Sequence, residues 1–347
     1  MNFTRESVFI SATRSFCNSF AVVIGVLSPI ILILIAMSAL SSPIVPPIKN
    51  EIVLAPDADG SRTPLPENSP VVLRINIQGV VGQGTLTTEN FTNKLLDSQG
   101  DVIKGNRVKA ICLYVDTPGG TVSDADGIYK QLIQYKEKYK VPVYAFVDGL
   151  CASGGMYICS AADQIYASNT SIIGSVGVIL GPSFNFADAM DKLGIKSLTI
   201  KQGKDKDALN PFRPWVPGED QSIVNITKAL YDNFVEIVSS SRKNLSKDKL
   251  VNEYGAQIFI AQTAKDYGYI DVANSSYEQT LKDLTAAAGL SDKDPYQVMQ
   301  LETPANILSS LINGESAIFS GKIKHSLEIN PVLSSELSGK LLYLYTP

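Results

Sequence analysis

The chain has 347 residues, of which 45% are hydrophobic, enough for one large domain or two ordinary ones around a sizeable core. Its 30 basic and 34 acidic residues give a formal net charge of -4, with no polybasic excess, which argues against nucleic acid as the main partner. Four cysteines (Cys17, Cys112, Cys151, Cys159) form no CxxC pair and have no neighbouring histidine, so no metal is implied.

In chain order, Arg5 and Arg14 belong to a short leading segment, 1–19, and are followed at 20–40 by an apolar, uncharged run broken only by Ser28, Pro29 and Ser38. About 20 such residues span a bilayer, so this run is read as an uncleaved membrane anchor; small residues around Ala39 to Ser42 keep a cleaved signal peptide as the alternative. The positive-inside rule then places 1–19 in the cytoplasm and everything after Leu40 outside. Residues 41–70 hold seven prolines among Asp, Ser and Asn, which predicts an extended linker.

Beyond it, short apolar runs at Val71–Ile77, Val108–Val115 and Val141–Val147 alternate with longer amphipathic ones at Phe91–Ile103 and Ile128–Tyr139. This rhythm predicts an α/β domain over 71–290, built of repeated right-handed βαβ units around a mostly parallel sheet. A helix over Ala152–Ala162 follows the last of these strands, and one or two helices cover Ser222–Val251. Residues 291–347 form a weakly patterned tail.

Chemistry concentrates at Gly149-Leu150-Cys151-Ala152-Ser153-Gly154-Gly155, where Ser153 opens a helix after a strand. A hydroxyl becomes nucleophilic only when a base takes its proton, and the usual imidazole is hard to supply because the one histidine, His325, lies far off in the tail. A lysine held neutral by desolvation is the remaining common solution. Downstream, Thr199-Ile200-Lys201-Gln202-Gly203-Lys204-Asp205-Lys206-Asp207 offers three lysines after a predicted short strand, and spacing does not choose among them. Upstream, the paired glycines of Asp116-Thr117-Pro118-Gly119-Gly120 let backbone N–H groups approach a carbonyl closely, and with Gly154 they make an oxyanion hole. Taken singly, each segment has a plain alternative: a ligand-free helix-entry turn, a tight helix start, a solvated loop. Cys151 and Cys159 flank the serine and read as small core hydrophobes, with a disulfide open in an oxidising compartment.

Together and in order, Pro118-Gly119-Gly120, Ala152-Ser153-Gly154-Gly155-Met156-Tyr157, Ile173-Gly174-Ser175-Val176-Gly177-Val178 and the Lys206 loop resemble the signal peptide peptidase A family, in its short single-domain form. The resemblance runs from about Val71 to Asp271. It implies a Clp/crotonase-like fold behind an N-terminal transmembrane helix, a Ser/Lys dyad without a cofactor, and hydrolysis of signal-peptide remnants and other peptides at the outer face of a bacterial cytoplasmic membrane. By the family's Lys-x-Gly-x-x-Lys-Asp pattern, Ser153 matches the nucleophile and Lys206 the base; Lys201 matches a non-catalytic lysine, and Lys204 is second choice. Ser175 matches a serine that orients the base, and Gly154 with Gly119 or Gly120 the oxyanion donors.

Asp116-Thr117 departs from the family's Asn-Ser, and Met156 from a common aromatic; both are expected to border the cleft. The short form further implies a homo-oligomeric ring, an octamer, whose subunits contribute to one another's grooves. Substrate is expected as an extended strand against a sheet edge. Rivals are an NfeD-type quality-control protease with the same chemistry, a crotonase-type acyl-CoA enzyme and a non-catalytic peptide-binding scaffold.

Overall fold

An apolar run without charge favours one long helix, and in the computed structural model α1 extends over Val8–Leu40 with Pro29 inside it. Residues 8–40, 50–100, 102–290, 294–302 and 342–345 are described; His325 lies outside them. Within α1, the 22 residues Ala12–Ile33 have a mean hydropathy of 2.3 and no buried surface, and at 1.5 Å per residue they reach about 33 Å, enough for a hydrocarbon core. This helix belongs to one compact unit, Met1–Ile48; the remainder of the chain is a second.

The second unit runs β1 (Glu51–Ala55), β2 (Val71–Gln78), α2 (Thr88–Asp97), β3 (Val108–Thr117), β4 (Gly119–Thr121), α3 (Val122–Tyr139), β5 (Val143–Ala152), α4 (Gly154–Cys159), β6 (Gln164–Ala167) and β7 (Ile172–Gly174). Then follow α5 (Ala187–Lys192), α6 (Gln221–Ser241), the short α7 (Lys247–Lys249), β8 (Ile258–Ile260), α8 (Ala261–Tyr267), α9 (Tyr277–Ala287), β9 (Gln297–Glu302) and β10 (Leu342–Leu344). The main sheet has the order β1-β9-β2-β3-β5-β7-β8, with β6 also on β5. Its centre, β9-β2-β3-β5 with β6 and β7, is parallel, and β1 and β8 close the two edges antiparallel.

A parallel sheet is covered on both faces, so its strands are apolar almost throughout. Leu73, Ile75 and Ile77 of β2 with Leu113 and Val115 of β3 join α2, α3, α4 and α6 in the main core. The alternate positions Val72, Ala110, Cys112 and Phe146 meet Tyr277, Leu281 and Leu284 of α9 in a second.

Three details differ from expectation. The proline-rich stretch is not linker throughout, because Glu51–Ala55 pairs with Glu302–Val298 and belongs to the sheet. The tail likewise returns to the domain twice, as β9 and β10. The strand expected before the Lys206 loop does not form; between β7 and α6 the described chain is an exposed excursion whose one regular element is α5.

Candidate active site

The corner after β5 places Ser153. Its φ of 55° and ψ of -114° lie outside the ordinary regions for a non-glycine residue, a strain held in place by its neighbours: Ser153 N–H donates to Gly174 C=O (2.9 Å), and Ser153 C=O accepts Tyr157 N–H (3.0 Å). Ser153 is 1% exposed. Ala152 pairs with Gly174, which brings Ser175 alongside the serine, also at positive φ (54°), with its N–H donated to Gln257 C=O (2.8 Å). Gly155 is required here because a Cβ would meet the Thr117 methyl at 2.6 Å.

Opposite, β4 supplies the glycine pair. Val81 donates to Gly119 C=O (2.8 Å) and accepts from Thr121 N–H (2.9 Å), so Gly119 and Thr121 face Val81. Strand geometry then turns the N–H and C=O of Gly120 the other way, toward its register partner Tyr343 in β10. The Gly119 N–H is already donated to Thr117 Oγ1 (3.1 Å). Of the pair, Gly120 therefore offers the N–H.

A Cβ on Gly119 would lie 2.1 Å from the Tyr343 carbonyl oxygen and 2.5 Å from Gly154 N, and one on Gly154 would lie 3.1 Å from that same oxygen. The Tyr343 carbonyl thus sits in a cradle bounded by Gly119, Gly120 and Gly154. A positive φ of 91° and this crowding leave Gly119 no side chain.

The departures from the family pattern turn out to be internal. Thr117 is wholly buried and its hydroxyl, besides accepting from Gly119, donates to Gly79 C=O (2.6 Å). Asp116 Oδ1 accepts Leu150 N–H (3.0 Å) beside Gly149, tying the β3 and β5 ends together. Met156 is wholly buried in the main core rather than at the cleft. Cys151 Sγ lies 3.6 Å from Cys159 Sγ, both buried and free, and that contact together with burial holds the Cys151 thiol protonated, well above its ordinary range.

The lysines are elsewhere. All three lie on the exposed excursion, in turns after α5. Lys201 is engaged with Asp207, whose carboxyl is held well below the usual range by Lys201 first and then Arg213. Lys204 and Lys206 make no hydrogen bond or ion pair with any described residue, and Ser153 makes no side-chain hydrogen bond either. Within one chain, then, Ser153, Ser175, Gly119, Gly120 and Gly154 come together and Lys206 does not join them. Sequence reasoning missed β10 altogether; its one signal is the apolar Leu341-Leu342-Tyr343-Leu344 run in an otherwise weak tail.

Comparison with known proteins adds three findings. The model of peptidase family S49 matches residues 135–291. A Synechocystis protein, "Putative protease slr0021", is 30% identical over 247 residues, which cover 71% of this chain and 84% of that protein. "Putative signal peptide peptidase SppA" of Enterococcus faecium is 28% identical over 230 residues, 64% of each chain. Among solved structures, a ClpP1 mutant from Listeria monocytogenes aligns over 62% of this chain and 96% of its own at 16% identity, with a TM-score of 0.39. That score is too low to carry the fold assignment, which rests on the sheet topology.

Proposed function

Because the chain belongs to peptidase family S49, the signal peptide peptidase A family, we propose that it is a membrane-anchored serine endopeptidase in which Ser153 attacks the peptide and Lys206 is the base. The observation that carries this reading is the glycine cradle. It already holds a peptide carbonyl beside the strained serine, with Gly120 N–H directed at it and Gly154 on its border.

In this mechanism neutral Lys206 takes the Ser153 proton as Oγ bonds to the substrate carbonyl carbon. Gly120 and Gly154 N–H groups hold the oxyanion. The lysine passes its proton to the leaving amine as the C–N bond breaks, and water then cleaves the ester and restores the serine. Ser175 orients the base. Only an unprotonated amine accepts the proton, so the rate rises with pH into the alkaline range. The substrates are cleaved signal peptides and other peptides.

Lys206 reaches a serine by self-association. The excursion exposes Leu193, Leu198, Ile200 and Phe212, and such apolar display marks an interaction surface. In a ring of subunits, an octamer by family resemblance, the excursion of one copy completes the site of its neighbour. The helix α1 anchors each copy, with Arg14 on the cytoplasmic side and the peptidase domain across the bacterial cytoplasmic membrane.

The test is hydrolysis of a fluorogenic peptide by the full chain in detergent, beside Ser153→Ala, Lys206→Ala and Lys204→Ala. Residues from Glu51 must be kept, since a start near Pro70 strips β1 from the sheet. Loss of activity by a factor of about 10⁴ or more is expected in Ser153→Ala and Lys206→Ala, with Lys204→Ala near wild type. Activity surviving in Lys206→Ala moves the base to Lys204, and no activity in any form leaves a peptide-binding scaffold.

A further inference from the structure

The segment Leu342–Tyr345 lies between two stretches of the domain as a third strand. On one side it pairs antiparallel with Gly119–Thr121, extended by Tyr345 N–H to Pro118 C=O (2.7 Å). On the other, Leu342 exchanges both backbone bonds with Ile179 (3.0 and 3.1 Å). Side chains alternate as strand geometry demands: Leu342 and Leu344 pack with Val80, whereas Tyr343 points into the body of the domain and is wholly buried. This is how an extended peptide docks by strand addition, with main-chain bonds for grip and alternate pockets for choice.

The pocket that takes Tyr343 is specific in its chemistry. Its walls are Phe234 of α6, with ring centroids 4.5 Å apart, and Tyr157 of α4, stacked at 5.1 Å. At its floor the Tyr343 hydroxyl donates to Leu230 C=O (3.0 Å). Tyr157 is itself fixed, donating to Asp126 (2.9 Å) and accepting from Asn233 (3.0 Å), so the wall cannot swing away. Burial holds the Tyr343 phenol above its ordinary range, as a neutral donor. A strand added only to complete a sheet has no need of its carbonyl in a glycine cradle beside Ser153.

We propose that this pocket is the specificity pocket of the groove, that it selects tyrosine at the position whose carbonyl enters the Gly119–Gly120–Gly154 cradle, and that the chain's own Tyr343 occupies it as a self-blocking peptide. The proposal rests on the peptidase reading for its kinetic arm and on geometry alone for its binding arm. Peptide substrates must displace Leu342–Leu344, so the open groove is only a fraction of the population and the observed rate scales with that fraction.

The full chain in detergent, wild type and Tyr343→Ala, is assayed on peptides carrying Tyr, Phe or Ala at the position before the cut. Tyr343→Ala is expected to raise kcat/KM on the order of tenfold by vacating the groove. In either protein, Tyr exceeds Phe by about fivefold, the worth of one buried hydrogen bond, and exceeds Ala by about a hundredfold, the worth of the ring. A binding arm uses a labelled peptide of residues 338–347 on the inactive Ser153→Ala chain, with and without Tyr343→Ala. Binding at least tenfold tighter when Tyr343 is removed is expected, and circular dichroism confirms folding. Should Tyr343→Ala misfold, Leu344→Asp, which disturbs the strand but leaves the pocket residues intact, is read in its place. Equal binding with and without the native segment, or indifference to Tyr against Ala, overturns the proposal. Tight, tail-competed binding with no hydrolysis in any form overturns the peptidase reading instead.

Discussion

At the scale of single residues, the glycines around Ser153 do different work, which a motif does not reveal. Ser153 and Gly154 are legible in the sequence because a small-residue corner after an apolar strand has few purposes. The choice between Gly119 and Gly120 is not, since it depends on ladder parity with Val81 and with a strand more than two hundred residues away. The lysine is legible only through the order of motifs, and the structure separates Lys201, bound to Asp207, from Lys204 and Lys206, which are not ion-paired. The glycines yield a contrast. A Cβ on Gly120 meets Val81 C=O at 1.9 Å, a clash with main chain that cannot swing aside, so Gly120→Ala is expected to lose the fold and lower the melting midpoint sharply. On Gly154 the nearest atoms stand at 3.1 to 3.2 Å, and the first is the carbonyl oxygen in the cradle. Gly154→Ala should therefore melt near wild type while its kcat/KM falls by a factor of about 10² from crowding the oxyanion position. Equal losses of stability and activity in both variants would reject this division of roles.

At the scale of elements, the parallel centre of the sheet was readable because fully buried strands write their apolar runs directly into sequence. The edge and late strands β1, β9 and β10 were not: each is short, and β1 and β10 become strands only by finding distant partners, Glu302–Val298 and Gly119–Thr121. Helix α6 was foreseen, but its role was not, since Leu230 and Phe234 line the pocket while Val224 and Ile226 stay exposed. What fixes α6 is its C-cap. Arg242, 5% exposed, pairs with Asp271 (2.7 Å) and donates to Ala162 C=O (2.8 Å), and the same Asp271 oxygen accepts Ile165 N–H (2.7 Å). Removing one member of a buried pair leaves the other uncompensated, so Arg242→Ala is expected to cost on the order of 3 kcal/mol and lower the melting midpoint by roughly 5 to 10 °C. Because the pocket wall rides on this helix, KM for tyrosine peptides should rise more than kcat falls. A melt and a kinetic pair on the same preparation read both, and an unchanged midpoint would show that the tie is not structural.

At the scale of the whole molecule, the fold assembles most of a peptidase site and leaves its base outside. The domain core is complete in one chain, with apolar residues buried on both sheet faces. The excursion between β7 and α6 is the opposite: Leu198 and Ile200 are 87% and 86% exposed, and beside them the loop carries Lys204 and Lys206. Two such residues on one strand-less loop cost free energy in water, about 1.5 to 3 kcal/mol each against a buried state, and burial against another copy recovers it. That surface and the base are therefore one device, and a change in the first should disable the second. Leu198→Glu with Ile200→Glu is expected to convert the detergent-solubilised assembly to single chains in native mass spectrometry. The domain midpoint should move by no more than about 2 °C, because no core contact is touched. Activity should fall by a factor of about 10² or more, although Ser153, the glycine cradle and Lys206 are all unaltered. Single chains that keep the wild-type rate would place the base within its own subunit, and an intact assembly without activity would mean that the excursion meets substrate rather than a neighbour.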